Sequence, residues 1–239
     1  MRLAEPRRLQ GQRILAFDTS GPYCSAALAL DGTVLAKHDT AMTRGQAEAL
    51  MPMLEALVAA DGAKWQDLAA IAVGVGPGNF TGIRISVSAA RGLALGLGIP
   101  AIGVSLFETL GQSEAGPDAP AFGPVGMCSI EAPRGLAYVQ HLRDGVPQSA
   151  PRLIDPADPP HDLALPVDMQ VIGHRAAEIA RPFGARWIES APRDVAARVA
   201  LIAENRLRTG DRVRERPAPL YVRPADAAPP REAPVPILP

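Results

Sequence analysis

Nine residues in a row, LAAIAVGVG from Leu68 to Gly76, carry no polar side chain, and the chain then enters GPGNFTG. A run so short, continuously apolar and rich in β-branched residues reads as a strand covered on both faces, as in an α/β architecture. Whatever else the chain contains must supply the covering layers.

The flanking segments supply them. Upstream, RILAFD (Arg13 to Asp18), SAALAL and DGTVLAKH read as a three-stranded meander, with Asp31-Gly32 as its second hairpin signal. In RGQAEALMPMLEALVAADG, Ala47, Leu50, Met51, Leu54, Leu57 and Val58 recur at helical spacing, and Asp61-Gly62 is a helix stop. Downstream come a helix from about Asn79 to Gly96, a short strand in GIPAIGV and a helix opening with SLFETLG. Beyond the proline- and glycine-rich stretch Ser113 to Pro124, VGMCSI and LAYVQHL read as paired strands and VDMQVIG as another. HRAAEIARPFG reads as a short helix and Val195 to Leu207 as a longer one. The segment Pro147 to Pro166 is too proline-rich for regular structure, and prolines and alanines dominate from Pro224 onward.

In GPGNFTG, Gly76 ends the strand, Pro77 stiffens the turn, Gly78 lets the chain reverse, and Asn79 or Thr81 caps the next helix. A helix N-terminus reached through glycines can hold an anion, because its free N–H groups and dipole point outward. Yet there is no G-x-x-x-x-G-K-[ST] lysine, and the chain's only lysines are Lys37 and Lys64. A capped turn explains the same residues without a ligand. FDTSGPYC poses the same choice at the end of the first strand. Asp18, Thr19 and Ser20 are either a phosphate-loop carboxylate with two hydroxyls or a turn held by side-chain-to-backbone bonds.

Along the helix after Asn79, Phe80, Ile83, Val87, Ala90, Ala94 and Leu97 make one apolar seam. Gly82, Ser86 and Ala89 or Ala90 make a second, small-residue track on which another helix can lie closely. That helix is either Gln46 to Ala60 of the same chain or one from another protein.

Composition bounds the function. At 239 residues and 47% hydrophobic, the chain suits one large or two small globular domains, and a net charge of −1 gives no overall field for nucleic acid. Residues 1–12 read as a tail with three arginines, and no run approaches the ~20 apolar residues of a membrane span, so a cytoplasmic protein is expected. Cys24 and Cys128, far apart among apolar neighbours, read as buried thiols, with no disulfide or zinc site expected.

The order β-β-β-α-β-α-β-α in the first 115 or so residues is the half-domain plan of the actin, sugar-kinase and heat-shock-chaperone superfamily. ILAFDTSGPYCSAAL, RGQAEALMPML, AVGVGPGNFTGIRISVSAARGLALGLGIPAIGVS and the late PLYVR closely resemble the TsaB family, also called YeaZ, of tRNA threonylcarbamoyladenosine biosynthesis. The match covers about Ile14 to Leu110. The resemblance implies a duplicated actin-like (ASKHA), ribonuclease-H-like α/β fold with a complete first half (13–112) and a reduced second half (113–223). It further implies a non-catalytic subunit that joins a TsaD homologue and, with it, a TsaE homologue and tRNA. No cofactor of its own is implied, ATP/ADP and a divalent metal entering only in the complex, and a homodimer is plausible when the chain is alone.

Carried onto this chain, the docking helices fall at about Gly45 to Ala60 and Asn79 to Gly96. The expected partner face is Gln46, Leu50, Met53, Gly82, Arg84, Ser86, Ala89 and Ala90; the expected nucleotide-cleft or loop residues are Asp18, Thr19, Ser20, Gly76, Pro77, Gly78, Asn79 and Thr81. No catalytic or metal-binding residue is expected. The family's usual serine is replaced by Asn79, a frequent histidine by Gln46, and its Asp-Ala-Arg motif by IEAPRGLAYV, with Glu131 and a displaced Arg134. Two enzyme readings compete. A hydrolase needs a nucleophile and base or a metal set, and His38, His141, His161 and His174 form no H-E-x-x-H motif. A kinase needs carboxylates from both halves, and only the first offers one, at Asp18.

Overall fold

The computed structural model describes residues 11–113, 125–163, 165, 169–211, 213 and 215–222. The proline-rich tail 224–239 and most of the 113–124 boundary lie outside the described residues. So does the N-terminal tail apart from Gly11 and Gln12, of which Gly11 donates its N–H to the Asp31 carboxylate.

The first sheet runs β3-β2-β1-β4-β5. Its strands are β1 (Arg13–Asp18), β2 (Tyr23–Leu30), β3 (Thr33–Ala41), β4 (Leu68–Gly74) and β5 (Ala101–Val104). β1 to β3 form the antiparallel meander, while β4 and β5 are parallel to β1. Three helices are interleaved or follow: α1 (Gln46–Ala60), α2 (Phe80–Leu97) and α3 (Leu106–Ser113).

The second sheet holds β6 (Val125–Glu131), β7 (Ala137–Arg143), β8 (Val146–Pro147), β9 (Arg152–Ile154), β10 (Gln170–Gly173) and β11 (Arg186–Glu189), with α4 (Ala176–Ala180) before β11 and α5 (Val195–Thr209) after it. Its order is β11-β10-β6-β7-β8, with β9 also on β7. β6 pairs antiparallel with β7 and parallel with β10, as β1 does with β2 and β4. The second half thus keeps the strand order of the first; its reduction lies in β8 and β10, shorter than β3 and β4, and in α4, shorter than α2.

Two of these strands correct the sequence reading. Pro147 to Pro166 is not without regular structure, since Arg152–Ile154 pairs with β7 and a 3-10 turn forms at His161–Leu163. The prolines flank Arg152-Leu153-Ile154 rather than interrupt it, so its N–H groups remain available to the sheet. β11 is only four residues of mixed charged and apolar type, and its register comes from its partner β10.

Both faces of the first sheet are covered, as LAAIAVG requires. Leu15, Phe17, Ile71 and Val73 face Leu50 and Leu54 of α1 and Ile83 and Val87 of α2 in one core. Ile14, Ala16, Ala70 and Ala72 face a second core that includes Val199, Ala200 and Ala203 of α5. Alanine on that side leaves room for α5 to lie close to the strands. α5 follows the second half in sequence but packs on the first sheet, whereas α3 follows the first half and packs on the second sheet; the two helices also touch. One core therefore contains Phe107 and Leu110 of α3 with Cys128, Ile130 and Ile172 of the second sheet.

A buried ion pair joins the exchanged helices. The Arg206 guanidinium of α5 donates to the Glu108 carboxylate of α3 and to the Gly103 carbonyl of β5. Glu108 also accepts from the Ser105 amide and hydroxyl, both at 2.9 Å. Removing one partner takes from the other a charge-assisted contact at a buried site. Arg206→Met is expected to lower the free energy of unfolding by about 3 kcal/mol, read from urea denaturation; a loss under about 1 kcal/mol would mean that the pair adds little to the join.

Candidate functional site

Two loops meet at the top of the first sheet, the β1–β2 turn and the β4–α2 loop. Asp18 ends β1 fully buried, and its Oδ1 accepts from the Ser20 amide at 3.0 Å and hydroxyl at 2.7 Å. That is the side-chain-to-backbone turn. The Thr19 hydroxyl donates to the Gly82 carbonyl at 2.6 Å, and the Asn79 amide to the Ser20 carbonyl at 2.7 Å. Of the two cap candidates Asn79 is the cap, its Oδ1 accepting from the Gly82 amide at 2.9 Å.

The glycines of the block now have a specific cause. A Cβ on Gly74 would stand 1.8 Å from Asp18 Oδ2, one on Gly78 2.4 Å from the Ser20 carbonyl oxygen, and one on Gly82 1.9 Å from that of Thr19. All three distances are far inside van der Waals contact, so three bare Cα atoms at four-residue spacing let the loops interlock. Gly76, at φ 91°, takes the left-handed bend between them.

This geometry corrects the expected partner face. Gly82, Ser86 and Ala90 are buried in the chain's own fold, and the Ser86 hydroxyl turns back toward carbonyls of Ile83 and Gly74. Leu50 is also buried, in the core beneath α1. The small-residue track lets α2 sit close to its own loops. Gln46, Met53 and Ala89 are half-buried, and Arg84 is exposed.

The outer side of α2 lies about 200° around from Ser86. It carries Thr81, Arg84, Ser88, Arg91, Gly92, Leu95 and Gly96, with Leu95 85% exposed. Among the described residues, a Cβ on Gly92 or Gly96 would meet nothing within 4 Å. Ser88, Gly92 and Gly96 were legible as a four-residue repeat, but the sequence carries two such repeats and nothing local says which faces out. The neighbouring outer side of α1 presents Ala47, Glu48, Pro52, Glu55, Ala56 and Ala59.

Beside the interlocked loops lies a cleft of about 1020 Å³. One wall is formed by Ser20, Tyr23, Pro77, Gly78, Asn79, Phe80 and Ile83, and the other by Leu106, Ile130, Glu131 and Tyr138, with Leu220 to Val222 alongside. Of the expected cleft residues, Ser20, Pro77, Gly78 and Asn79 line it; Asp18, Thr19 and Gly76 lie behind the wall, and Thr81 is out on α2. Glu131 is the charged residue of the lining, which among the described residues holds no lysine, arginine or histidine. In the second half, Ser129 stands opposite Gly173 in the parallel pair, the position Asp18 holds beside Gly74 in the first. The Ser129 hydroxyl is donated to the His174 carbonyl at 2.7 Å. Among the described residues no group of three His, Cys, Asp or Glu side chains is placed to hold a metal, and no helix is long and apolar enough to cross a membrane.

Two like-ordered sheets with exchanged helices and a cleft between them define an actin-like protein of the ASKHA class. The family description "TsaD: tRNA N6-adenosine threonylcarbamoyltransferase" matches residues 37–149. The tRNA threonylcarbamoyladenosine biosynthesis protein TsaB of Escherichia coli K12 is 45% identical over 100 residues, which is 42% of this chain and 43% of that protein. The TsaB protein of Haemophilus influenzae is 34% identical over 105 residues, 44% of each chain. The matched segment thus spans under half the length of these curated relatives. A crystal structure of an uncharacterized Pseudomonas aeruginosa protein with similarity to peptidase YEAZ superposes with a TM-score of 0.68 at 27% identity, covering 89% of this chain and 100% of that one. Together these likenesses support the TsaB (YeaZ) family for this chain.

Asp18 carries a measurable signature of the interlock. Among the described residues its Oδ2 has no hydrogen-bond partner, and burial pushes the carboxyl above the usual carboxylate range, opposed by Ser20 and by the nearby Tyr23 hydroxyl. The folded chain therefore holds this proton more tightly than the unfolded one. The carboxyl's contribution to stability is intact below about pH 4 and is lost as pH rises through the folded value. Asp18→Asn cannot ionise, so its Tm is expected to gain on the parent between about pH 4 and pH 8. A difference that stays flat or falls over that range would remove the burial argument.

Proposed function

We propose that this chain serves tRNA threonylcarbamoyladenosine biosynthesis as a non-catalytic subunit that docks a TsaD homologue on the outer sides of α1 and α2. Through that complex it reaches a TsaE homologue and tRNA, in the cytoplasm and without a membrane partner. ATP/ADP and a divalent metal belong to the complex, and the isolated chain uses the same face to form a homodimer.

The observation that carries the docking reading is the outer side of α2. Leu95 projects there, 85% exposed, beside Gly92 and Gly96, whose bare Cα atoms face open space. A track of bare Cα atoms beside a projecting leucine suits a second helix lying close. Met53, Arg84 and Ala89 border this face, whereas Leu50, Gly82, Ser86 and Ala90 support it from within, and Gln46 lines the cleft instead. The non-catalytic reading draws on the second half. A phosphoryl-transfer site needs charge from both halves, and Ser129 holds the place where the first half has Asp18.

Co-purification with the cognate TsaD homologue tests the docking. Leu95→Glu is expected to leave the fold intact and to weaken the complex at least tenfold. Gly82→Leu is expected to lose the fold itself, because its side chain collides with the Thr19 carbonyl. A Leu95→Glu protein that binds as tightly as the parent would rule out this face. The role itself is tested by the modification assay: a full rate with the TsaD and TsaE homologues alone would remove the scaffold reading, and ATP turnover by the isolated chain would replace it with an enzyme.

A further inference from the structure

The segment Arg216–Val222 has no helix or strand, yet it forms part of the cleft's edge. Pro217 lies over Gly103 of β5, and the Leu220 amide donates to the Val75 carbonyl at 2.8 Å. Leu220, Tyr221 and Val222 then line the cleft together with Phe80 and Ile83 of α2. What holds Tyr221 there is a three-layer contact on the protein surface. The Tyr221 ring stacks on Phe80 with centroids 5.0 Å apart, and the Arg84 guanidinium lies 3.7 Å above the Phe80 ring. Arg84 Nε also donates to the Tyr221 hydroxyl at 2.7 Å. Phe80 and Tyr221 remain 40% and 42% exposed.

We infer that Leu220–Val222 is a strap along the cleft and that Arg84, Phe80 and Tyr221 are its latch, so that docking on the first turns of α2 also opens the cleft. The strap stands on the contacts just described; its coupling to docking rests on the docking reading above.

The chemistry of the latch supplies the coupling. Arg84 stands exposed one turn into α2, where two ring faces and a phenol oxygen hold its guanidinium in the free chain. A carboxylate from a docking partner is a stronger acceptor for a guanidinium than a neutral phenol. An acidic side chain that takes Arg84 Nε from the Tyr221 hydroxyl and draws the guanidinium off the Phe80 ring loosens Tyr221, and the strap loses part of its surface hold. Leu220 and Val222 then leave the apolar wall, and the cleft opens beside the docked partner.

Amide hydrogen exchange of the full-length chain tests this at Leu220. Tyr221→Ala and Phe80→Ala are each expected to speed exchange of the Leu220 amide about tenfold or more. Tyr221→Phe, which keeps the ring and loses the acceptor, is expected to give a smaller increase. Arg181→Ala, which removes the separate Arg181–Trp187 contact on the second sheet, is expected to leave it unchanged. Exchange at the parent rate in both Tyr221→Ala and Phe80→Ala would overturn the latch.

The second arm adds the TsaD homologue to the parent chain. If the two co-elute and Leu220 exchange rises several-fold, the coupling holds. If they co-elute and Leu220 is unchanged, the coupling is overturned and the docking reading survives. If they do not co-elute, the docking reading fails and the coupling with it, while the first arm still decides the strap.

Discussion

The close approach of the β4–α2 loop to the β1–β2 turn is the constraint on which the rest depends. Gly74, Gly78 and Gly82 bring bare Cα atoms against Asp18, Ser20 and Thr19, and hydrogen bonds from Thr19 and Asn79 close the seam. Because the seam fixes where α2 begins, it also fixes which side of α2 faces the sheet and which faces out. Contact with its own chain accounts for the glycines of the block, and its helix is capped from within by Asn79.

A second dependence runs through the exchanged helices. α5 covers the first sheet and α3 the second, so the two halves share a core and are tied by the buried Arg206–Glu108 pair. The cleft sits beside this join: Leu106 and Ile130 of its wall belong to the shared core, and Leu220 and Val222 of its edge pack against that core. Tyr221 between them is held by a surface stack, which is the kind of contact that opens locally while the core stays closed.

Most of the first half was legible in order, because periodicity reports local burial. The unbroken apolar run at Leu68 required cover on both faces, and Asp31-Gly32 marked its hairpin. The short strands at Arg152–Ile154 and Arg186–Glu189 were not legible, since so few residues carry no period and their place comes from neighbours already in the sheet. The cap at Asn79 and the turn at Asp18 could be named as chemistry, but not the fact that they bond to the same seam.

The sequence by itself determined the α/β class, the order of the elements in the first half and the presence of a small-residue helix after a glycine-rich loop. These follow from residue type and spacing, which act within a few residues along the chain. Tertiary structure alone decided that Gly82, Ser86 and Ala90 face inward and Ser88, Gly92 and Gly96 outward. It alone placed Ser129 in the position of Asp18, and brought Tyr221 onto Phe80 and Arg84 across most of the chain's length. Two equivalent tracks on one helix differ only in what lies across from them, and that is set by packing between segments far apart in sequence.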